Sequence, residues 1–182
     1  KSLGARYTPR EIVHYMCQES LINYLDNALN KDKEIVPRKD IETFIRLGEQ
    51  ISHYEAVETK YRIKMPPSIE KHARLIDEKL AEITVCDPAV GSGAFPVGMM
   101  TEIVRARMAL TPYFNARNER TAYRFKLDAI QNSLYGVDID PGAVEIAKLR
   151  LWLSLVVDEE DVKHIKPLPN LDYKIMQGNS LI

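Results

Sequence analysis

The stretch from Ile83 to Gly98, ITVCDPAVGSGAFPVG, decides the fold of this 182-residue chain. Its first residues favour a β-strand, which ends at Asp87–Pro88 because proline removes a backbone hydrogen-bond donor. The segment Gly91–Gly93 then predicts a tight turn, since glycine adopts positive φ angles without steric penalty. Apolar residues recur at helical spacing after the turn, and Pro96 suits a first helical turn, where its missing N–H is not required. The stretch therefore predicts a strand, a glycine-rich loop and a helix.

The free N–H groups at the start of a helix after such a loop favour an anionic ligand. Three classes of ligand site use a loop of this kind. A P-loop would require Gly-Lys-Ser/Thr, whereas Ala94 and Phe95 follow Gly93 here. A dinucleotide loop would require a third glycine where Pro96 stands. The remaining class binds S-adenosylmethionine, and the Asp87 carboxylate would then accept from the methionine ammonium group. The alternative is a strand-to-helix turn that holds no ligand.

Composition and charge narrow the classes of protein further. The chain is 45% hydrophobic, enough to bury one core, and its net charge of −1 gives no overall basic field for nucleic acid. Cys17 and Cys86 lie in apolar contexts, which predicts buried thiols in a reducing, cytoplasmic compartment. The sequence shows no membrane-length apolar run, no signal peptide and no histidine spacing typical of a metal site. It begins at Lys1 rather than methionine and reads as a piece of a longer protein.

The chain divides into residues 1–81, predicted to be a helical N-terminal region, and residues 82–182, predicted to be an α/β domain. Near the start, Thr8–Glu11 reads as a capping box with proline at the first helical position. A further interpretation is that a wall of the cofactor pocket is formed by Tyr7, Thr8 and Pro9. The capping box alone does not distinguish this interpretation from a simple helix start.

A second strand is predicted from Tyr135 to Ile139, and Asp140–Pro141 reads as the N-cap and first residue of a long apolar helix. Asp138 is left without a capping role. An acidic residue at the end of the second strand of a Rossmann-like unit accepts hydrogen bonds from ribose hydroxyls, and Ile139 would lie against an adenine face. The alternative is that Asp138 only ends the strand. An additional helix near residues 118–132 would precede this strand.

A third strand is predicted from Leu171 to Met176, followed by Asn179, whose amide would pair with the adenine ring edge. Asparagine after glycine is also a common turn residue. Residues 105–126 mix basic and aromatic side chains, a composition that binds nucleic acid in other proteins. A solvated helix face over core aromatics accounts for the same residues and is the preferred interpretation.

Four segments, in the order GARYTP, DPAVGSGAF, YGVDIDP and GNSL, resemble motifs X, I, II and III of the adenine-N6 DNA methyltransferases of restriction-modification systems. The resemblance is strongest to the large Type IIG enzymes, which fuse methyltransferase and endonuclease, and to Type I modification subunits. DPAVGSGAF is the specific motif. The resemblance implies an α/β fold, namely a partial Rossmann-like S-adenosylmethionine-dependent methyltransferase fold with a helical N-terminal extension.

The resemblance assigns cofactor-binding roles to residues of all four motifs. Asp138 would hold the ribose, Ile139 would pack on the adenine ring, and Asn179 would take the adenine edge. The residues that would surround the methionine end are Tyr7, Thr8, Pro9, Asp87, Pro88, Ala89, Gly91, Ser92, Gly93 and Phe95. An aspartate is common in the family where Asn179 stands.

The family's catalytic motif, Asn/Asp-Pro-Pro-Tyr/Phe, does not occur in this sequence. In that motif polar groups accept from the target amine while the aromatic ring stacks on the flipped base. The nearest match, Met65–Ser68, lacks both features, so the resemblance implies a catalytic motif beyond Ile182. The implied partners are DNA, a target-recognition domain or specificity subunit, and a nuclease domain. A circularly permuted class also ends with motifs X to III, but its loop usually reads DPF-x-GSGTT.

The predicted function is the cofactor-binding part of an enzyme that transfers a methyl group from S-adenosylmethionine to adenine N6 in DNA. The 182-residue chain alone is expected to be inactive. Two other classes stay open: a methyltransferase acting on RNA, protein or a small molecule, and a non-catalytic cofactor-binding or assembly module.

Overall fold

The computed structural model describes residues 8–55, 64–157 and 170–181, with side chains described up to residue 47 in the first range. Tyr7 therefore lies outside the described residues. In chain order the elements are α1 (Arg10–Leu29), α2 (Arg38–Glu55), α3 (Pro67–Lys71), α4 (Ala73–Glu82), β1 (Val85–Asp87), α5 (Ala94–Ala109), α6 (Ala122–Asn132), β2 (Leu134–Asp138), α7 (Pro141–Val156) and β3 (Ile175–Gln177). Two short 3-10 turns, Thr111–Tyr113 and Arg117–Glu119, connect α5 to α6.

The strands of the described residues form one parallel sheet in the order β1-β2-β3. Val85 is paired with Leu134, and Gly136 with Ile175. Helices α5 and α6 connect β1 to β2, and α7 lies between β2 and β3 in the chain. Parallel strands joined through helices define an α/β fold, so the α/β part of the predicted fold class is confirmed.

Helix α5 lies at the centre of the hydrophobic core. It packs against α1, α2 and α6 and against strands β1 and β2. Met99, Met100 and Ile103 are buried, as expected for a helix that meets neighbours on several sides. One core cluster extends from Val13 in α1 to Ile175 in β3, so the helical N-terminal part and the strand-containing part share a core.

The predicted elements agree with the observed ones, with small shifts in their bounds. The second strand begins and ends one residue earlier than predicted, and the helix predicted near residues 118–132 is α6. The third strand begins at Ile175 rather than Leu171, because Leu171 starts a turn in which its carbonyl accepts from the N–H groups of Lys174 and Ile175.

The predicted capping box at the start of α1 is wrong. Pro9 has φ −54° and ψ 147°, so it lies outside the helix, which begins at Arg10. Within the described part of the chain no side chain caps this helix start, where the Pro9 carbonyl accepts from the N–H groups of Ile12 and Val13. An extended Pro9 carries Thr8 away from the helix and toward the β1–α5 loop described below.

The prediction of two buried thiols is half wrong, since Cys17 is buried and Cys86 is exposed. Side chains alternate between the two faces of a strand. Val85 is buried toward the helices, so Cys86 points to the opposite face of the sheet, beside Tyr135 in the neighbouring strand.

The basic segment 105–126 is not simply a solvated face. Arg107 and Arg120 both donate to the Asp77 carboxylate, at 3.1 Å and 2.8 Å, and both side chains are about nine-tenths buried (11% and 9% exposed). Their guanidinium groups lie over the Phe125 ring at 4.2 Å and 4.8 Å from its centroid. Burial alone would raise the pKa of Asp77, but hydrogen bonds and charge attraction from the two arginines hold it below its usual value. These arginines are therefore structural ion-pair partners.

Among the described residues, no helix is long and apolar enough to span a membrane. The same part of the chain contains no group of three or more His, Cys, Asp or Glu side chains placed to hold a metal ion.

Candidate functional site

The glycine-rich loop between β1 and α5 has the backbone conformation that its sequence predicts. Gly91 has φ +50° and Gly93 has φ +83°, both in the left-handed region. Gly93 is the N-cap of α5, and its N–H donates to the Val90 carbonyl at 2.9 Å. A Cβ atom at position 93 would lie 3.0 Å from Cβ and 3.1 Å from Cα of Ala147, so α7 packs directly against the loop.

The start of α5 leaves N–H groups directed at this loop. No side chain caps the helix, and Pro96 occupies its third position, within the first turn as predicted. Proline there removes an N–H that has no partner within the helix, while Ala94 and Phe95 keep theirs. The partial positive charge at this end of a 16-residue helix favours an anionic group.

A cavity of about 350 Å³ lies between the loop and the N-terminal end of α1. It brings Thr8 next to loop residues that are far from it in sequence. The residues that line it are Thr8, Val13, Met16, Cys86, Asp87, Pro88, Ala89, Val90, Gly91, Ser92, Ala94 and Phe95. Sequence reasoning missed Val13 and Met16, whose apolar spacing indicated only a helix face, and Cys86, which was expected in the core. Pro9 and Gly93 are not among the lining residues.

Asp87 ends β1 at the edge of this cavity. Its Oδ1 accepts from the Ala89 N–H at 3.0 Å. Burial raises the pKa of Asp87 above its usual value; the Ala89 N–H opposes that shift, and the nearby Asp138 carboxylate adds to it. A cationic group beside Asp87 would offset both the burial and the repulsion.

Asp138 does more than end its strand. Its Oδ2 accepts from the Gly91 N–H at 2.7 Å, and its Oδ1 accepts from the Asp140 N–H at 2.9 Å. The carboxylate therefore ties the end of β2 to the loop after β1. Asp140 caps α7 as predicted, by accepting from the Gly142 N–H at 2.8 Å.

The residues expected at the adenine end lie at the same edge of the sheet but outside the cavity lining. The Ile139 side chain is 64% exposed, directly after β2. Asn179 follows β3 in a turn, where its Oδ1 accepts from the Leu181 N–H at 3.0 Å. The next residue, Ser180, donates its hydroxyl to the Pro88 carbonyl at 2.7 Å, which brings this turn against the loop. All these groups follow the carboxyl ends of parallel strands, where α/β folds bind ligands.

A second cavity, of about 520 Å³, lies elsewhere and is lined by Arg107, Phe114, Arg120 and their neighbours. Although larger, it is lined by Arg107 and Arg120, whose two positive charges are balanced by the carboxylates of Asp77 and Asp128. The cavity at the glycine-rich loop is the better candidate, because the Asp87 carboxylate and the N-terminus of α5 meet there.

The parallel sheet, the loop with two left-handed glycines and the carboxylates that end β1 and β2 define an α/β domain with a cavity at the carboxyl ends of its strands, where such folds bind ligands. The chain belongs to the family of the MmeI DNA-methyltransferase domain, whose sequence profile matches residues 64–181. A protein of Methanocaldococcus jannaschii named as a type II restriction enzyme and methyltransferase is 36% identical to it over 188 residues, which cover 100% of this chain. The chain spans 15% of that relative's length. No solved structure matches the chain.

These similarities confirm the predicted resemblance at the level of a DNA-methyltransferase domain of the restriction-modification kind. The matched range holds the glycine-rich loop, Asp138 and Asn179, and it begins after α1 and α2.

Proposed function

We propose that this chain is the S-adenosylmethionine-binding part of an enzyme that methylates adenine N6 in DNA within a restriction-modification protein. The observation that carries the proposal is the cavity between Thr8 and the glycine-rich loop, with Asp87 at its edge and the N-terminus of α5 facing it. A zwitterionic amino-acid moiety suits this pair of opposite charges, and membership of a DNA-methyltransferase family supplies the class of reaction.

At the methionine end, Asp87 would accept from the ammonium group. The raised pKa of Asp87 supports this role, because a partly buried carboxylate with no cationic partner among the described residues gains from acquiring one. The N–H groups of Ala94 and Phe95 would meet the methionine carboxylate. Thr8 and Phe95 would close the cavity around the chain of the methionine, with Tyr7 and Pro9 beside them.

At the nucleoside end, Asp138 would accept from the two ribose hydroxyls. Each of its oxygens already accepts one backbone N–H, and each has a second lone pair available. The exposed Ile139 side chain would pack on the adenine ring and lose its contact with water. Asn179, held in its turn against the loop through Ser180, would meet the adenine edge.

The bound cofactor supplies an electrophilic methyl group on a sulfonium, and this chain would fix the position of that group. The acceptor for the target amine and the aromatic platform for a flipped base would come from a catalytic tetrapeptide elsewhere in a longer protein. Target-recognition and nuclease parts would also lie in that remainder, as would most contacts with DNA. We place the enzyme in the cytoplasm on the basis of its proposed DNA substrate. We also propose that the α/β domain begins at residue 82 and that the helical N-terminal region adds Thr8 to its cavity.

Calorimetry of the 182-residue chain with S-adenosylmethionine, S-adenosylhomocysteine and NAD tests the proposal. We expect binding of the first two ligands and none of NAD, since Pro96 replaces the glycine that a pyrophosphate loop requires. The same chain with tritiated cofactor should transfer no methyl group to DNA. Binding of NAD alone, or incorporation of label into RNA or protein, would contradict the proposal.

A further inference from the structure

Arg150 in α7 contacts the glycine-rich loop at Ser92. Its Nη1 donates to the carbonyl oxygen of Ser92 at 3.2 Å and to the hydroxyl oxygen of the same residue at 3.0 Å. Ser92 lines the cavity, whereas Arg150 does not. The guanidinium group therefore contacts a residue of the cavity wall without lining the cavity itself.

The hydrogen-bonding capacity of a serine hydroxyl gives this contact a consequence. The hydroxyl has one O–H donor and accepts through its oxygen, whereas a guanidinium group only donates. Ser92 Oγ must therefore accept from Arg150, and its single O–H is left to donate in another direction. Since Ser92 lines the cavity, a carboxylate bound there is a candidate acceptor for that O–H.

The backbone on both sides of Ser92 is held by other contacts. Asp138 accepts from the Gly91 N–H, and Gly93 lies against Ala147 of α7, where not even a methyl group fits. With the neighbouring residues held in place, the side-chain rotamer of Ser92 is what remains to be set. One nitrogen of Arg150 sets it by bridging the carbonyl and hydroxyl oxygens.

We propose that Arg150 is a positioning residue for ligand binding, which orients the Ser92 hydroxyl to donate to the carboxylate at the amino-acid end of the cofactor. The proposal rests on the proposed function. A cofactor fragment without that carboxylate gains nothing from Arg150, so the effect of Arg150 depends on the chemistry of the ligand.

The test measures binding of two ligands by calorimetry to the whole chain and to Arg150→Met, Arg150→Lys, Ser92→Ala and the Arg150→Met/Ser92→Ala double variant. S-adenosylhomocysteine carries the carboxylate, and methylthioadenosine lacks it. We expect Arg150→Met to weaken S-adenosylhomocysteine binding by about five- to tenfold and to leave methylthioadenosine binding unchanged. Arg150→Lys should retain most of the affinity, because one nitrogen serves both oxygens. The double variant should bind no more weakly than Ser92→Ala.

Arg124→Met is the matched control, since it removes an equally charged side chain that is 64% exposed on α6. It should bind both ligands as the parent chain does. Arg150 is also exposed, so melting temperatures of its variants should stay within about 2 °C of the parent value. Equal losses for both ligands, or none for either, would overturn the role of Arg150 while leaving the proposed function standing. Failure of the parent chain to bind either ligand would overturn both.

Discussion

Replacing Asp138 with alanine should weaken both the fold and ligand binding. The carboxylate accepts from the Gly91 N–H in a partly buried position and from the Asp140 N–H in an exposed one. Loss of a hydrogen bond to a charged group costs about 1.5–3 kcal/mol when it is sheltered from water, and less where water replaces it. We therefore expect Asp138→Ala to lower the free energy of unfolding by about 2–3 kcal/mol, or the melting temperature by about 4–12 °C.

The matched change, Asp140→Ala, removes only the cap of α7. The Asp140 side chain accepts from the Gly142 N–H and makes no contact of the kind that joins Asp138 to the Gly91 N–H. Its loss should cost about 1 kcal/mol of stability, as for other N-caps. Binding of S-adenosylhomocysteine should stay unchanged, whereas Asp138→Ala should weaken it at least about tenfold through the two ribose hydroxyls.

Thermal and urea unfolding of both variants, with calorimetry at a temperature where each is folded, separates the two effects. An unchanged melting temperature for Asp138→Ala would show that its carboxylate does not hold the loop. Equal losses of affinity in the two variants would show that neither aspartate is a specific ribose ligand.

Two further substitutions test the loop. Because the folded-state pKa of Asp87 is raised, the stability that depends on this group is fully present at pH values below its unfolded pKa and is lost as pH rises through the folded pKa. Asp87→Asn should thus be more stable than the parent at pH 7 and equally stable below about pH 4, and it should bind S-adenosylhomocysteine more weakly. Urea unfolding at several pH values measures the difference in stability. A parent chain that gained stability relative to the variant as the pH rose would contradict this prediction. Gly93→Ala should lower the free energy of unfolding by about 2–4 kcal/mol, because φ is positive there and the added Cβ would lie 3.0 Å from Cβ of Ala147. At Gly91 the added Cβ would have no neighbour within 4 Å, so Gly91→Ala should lower it by only about 1–2 kcal/mol. Equal costs by urea unfolding would rule out a close approach of α7.

The features predicted correctly from the sequence are those that depend on neighbouring residues. The left-handed φ angles of Gly91 and Gly93, the position of Pro96 in a first helical turn and the capping role of Asp140 all follow from local sterics and hydrogen bonding. The apolar periodicity of α7 likewise predicts a helix and its buried face. Such features are determined within a few residues, so no knowledge of the tertiary structure is required.

Contacts between distant segments were decided only by the tertiary structure. From the sequence, Asp138 was interpreted either as a ribose ligand or as the end of a strand. Its hydrogen bond to the Gly91 N–H depends on how β2 lies beside the loop, which the sequence does not show. The same holds for Thr8 at the cavity, which became possible because Pro9 is extended rather than helical. The pairing of Arg107 and Arg120 with Asp77 buries two arginines of a basic segment that was expected to be a solvated face. One-dimensional patterns do not encode which charges meet across a core, because that pairing depends on how separate helices pack together.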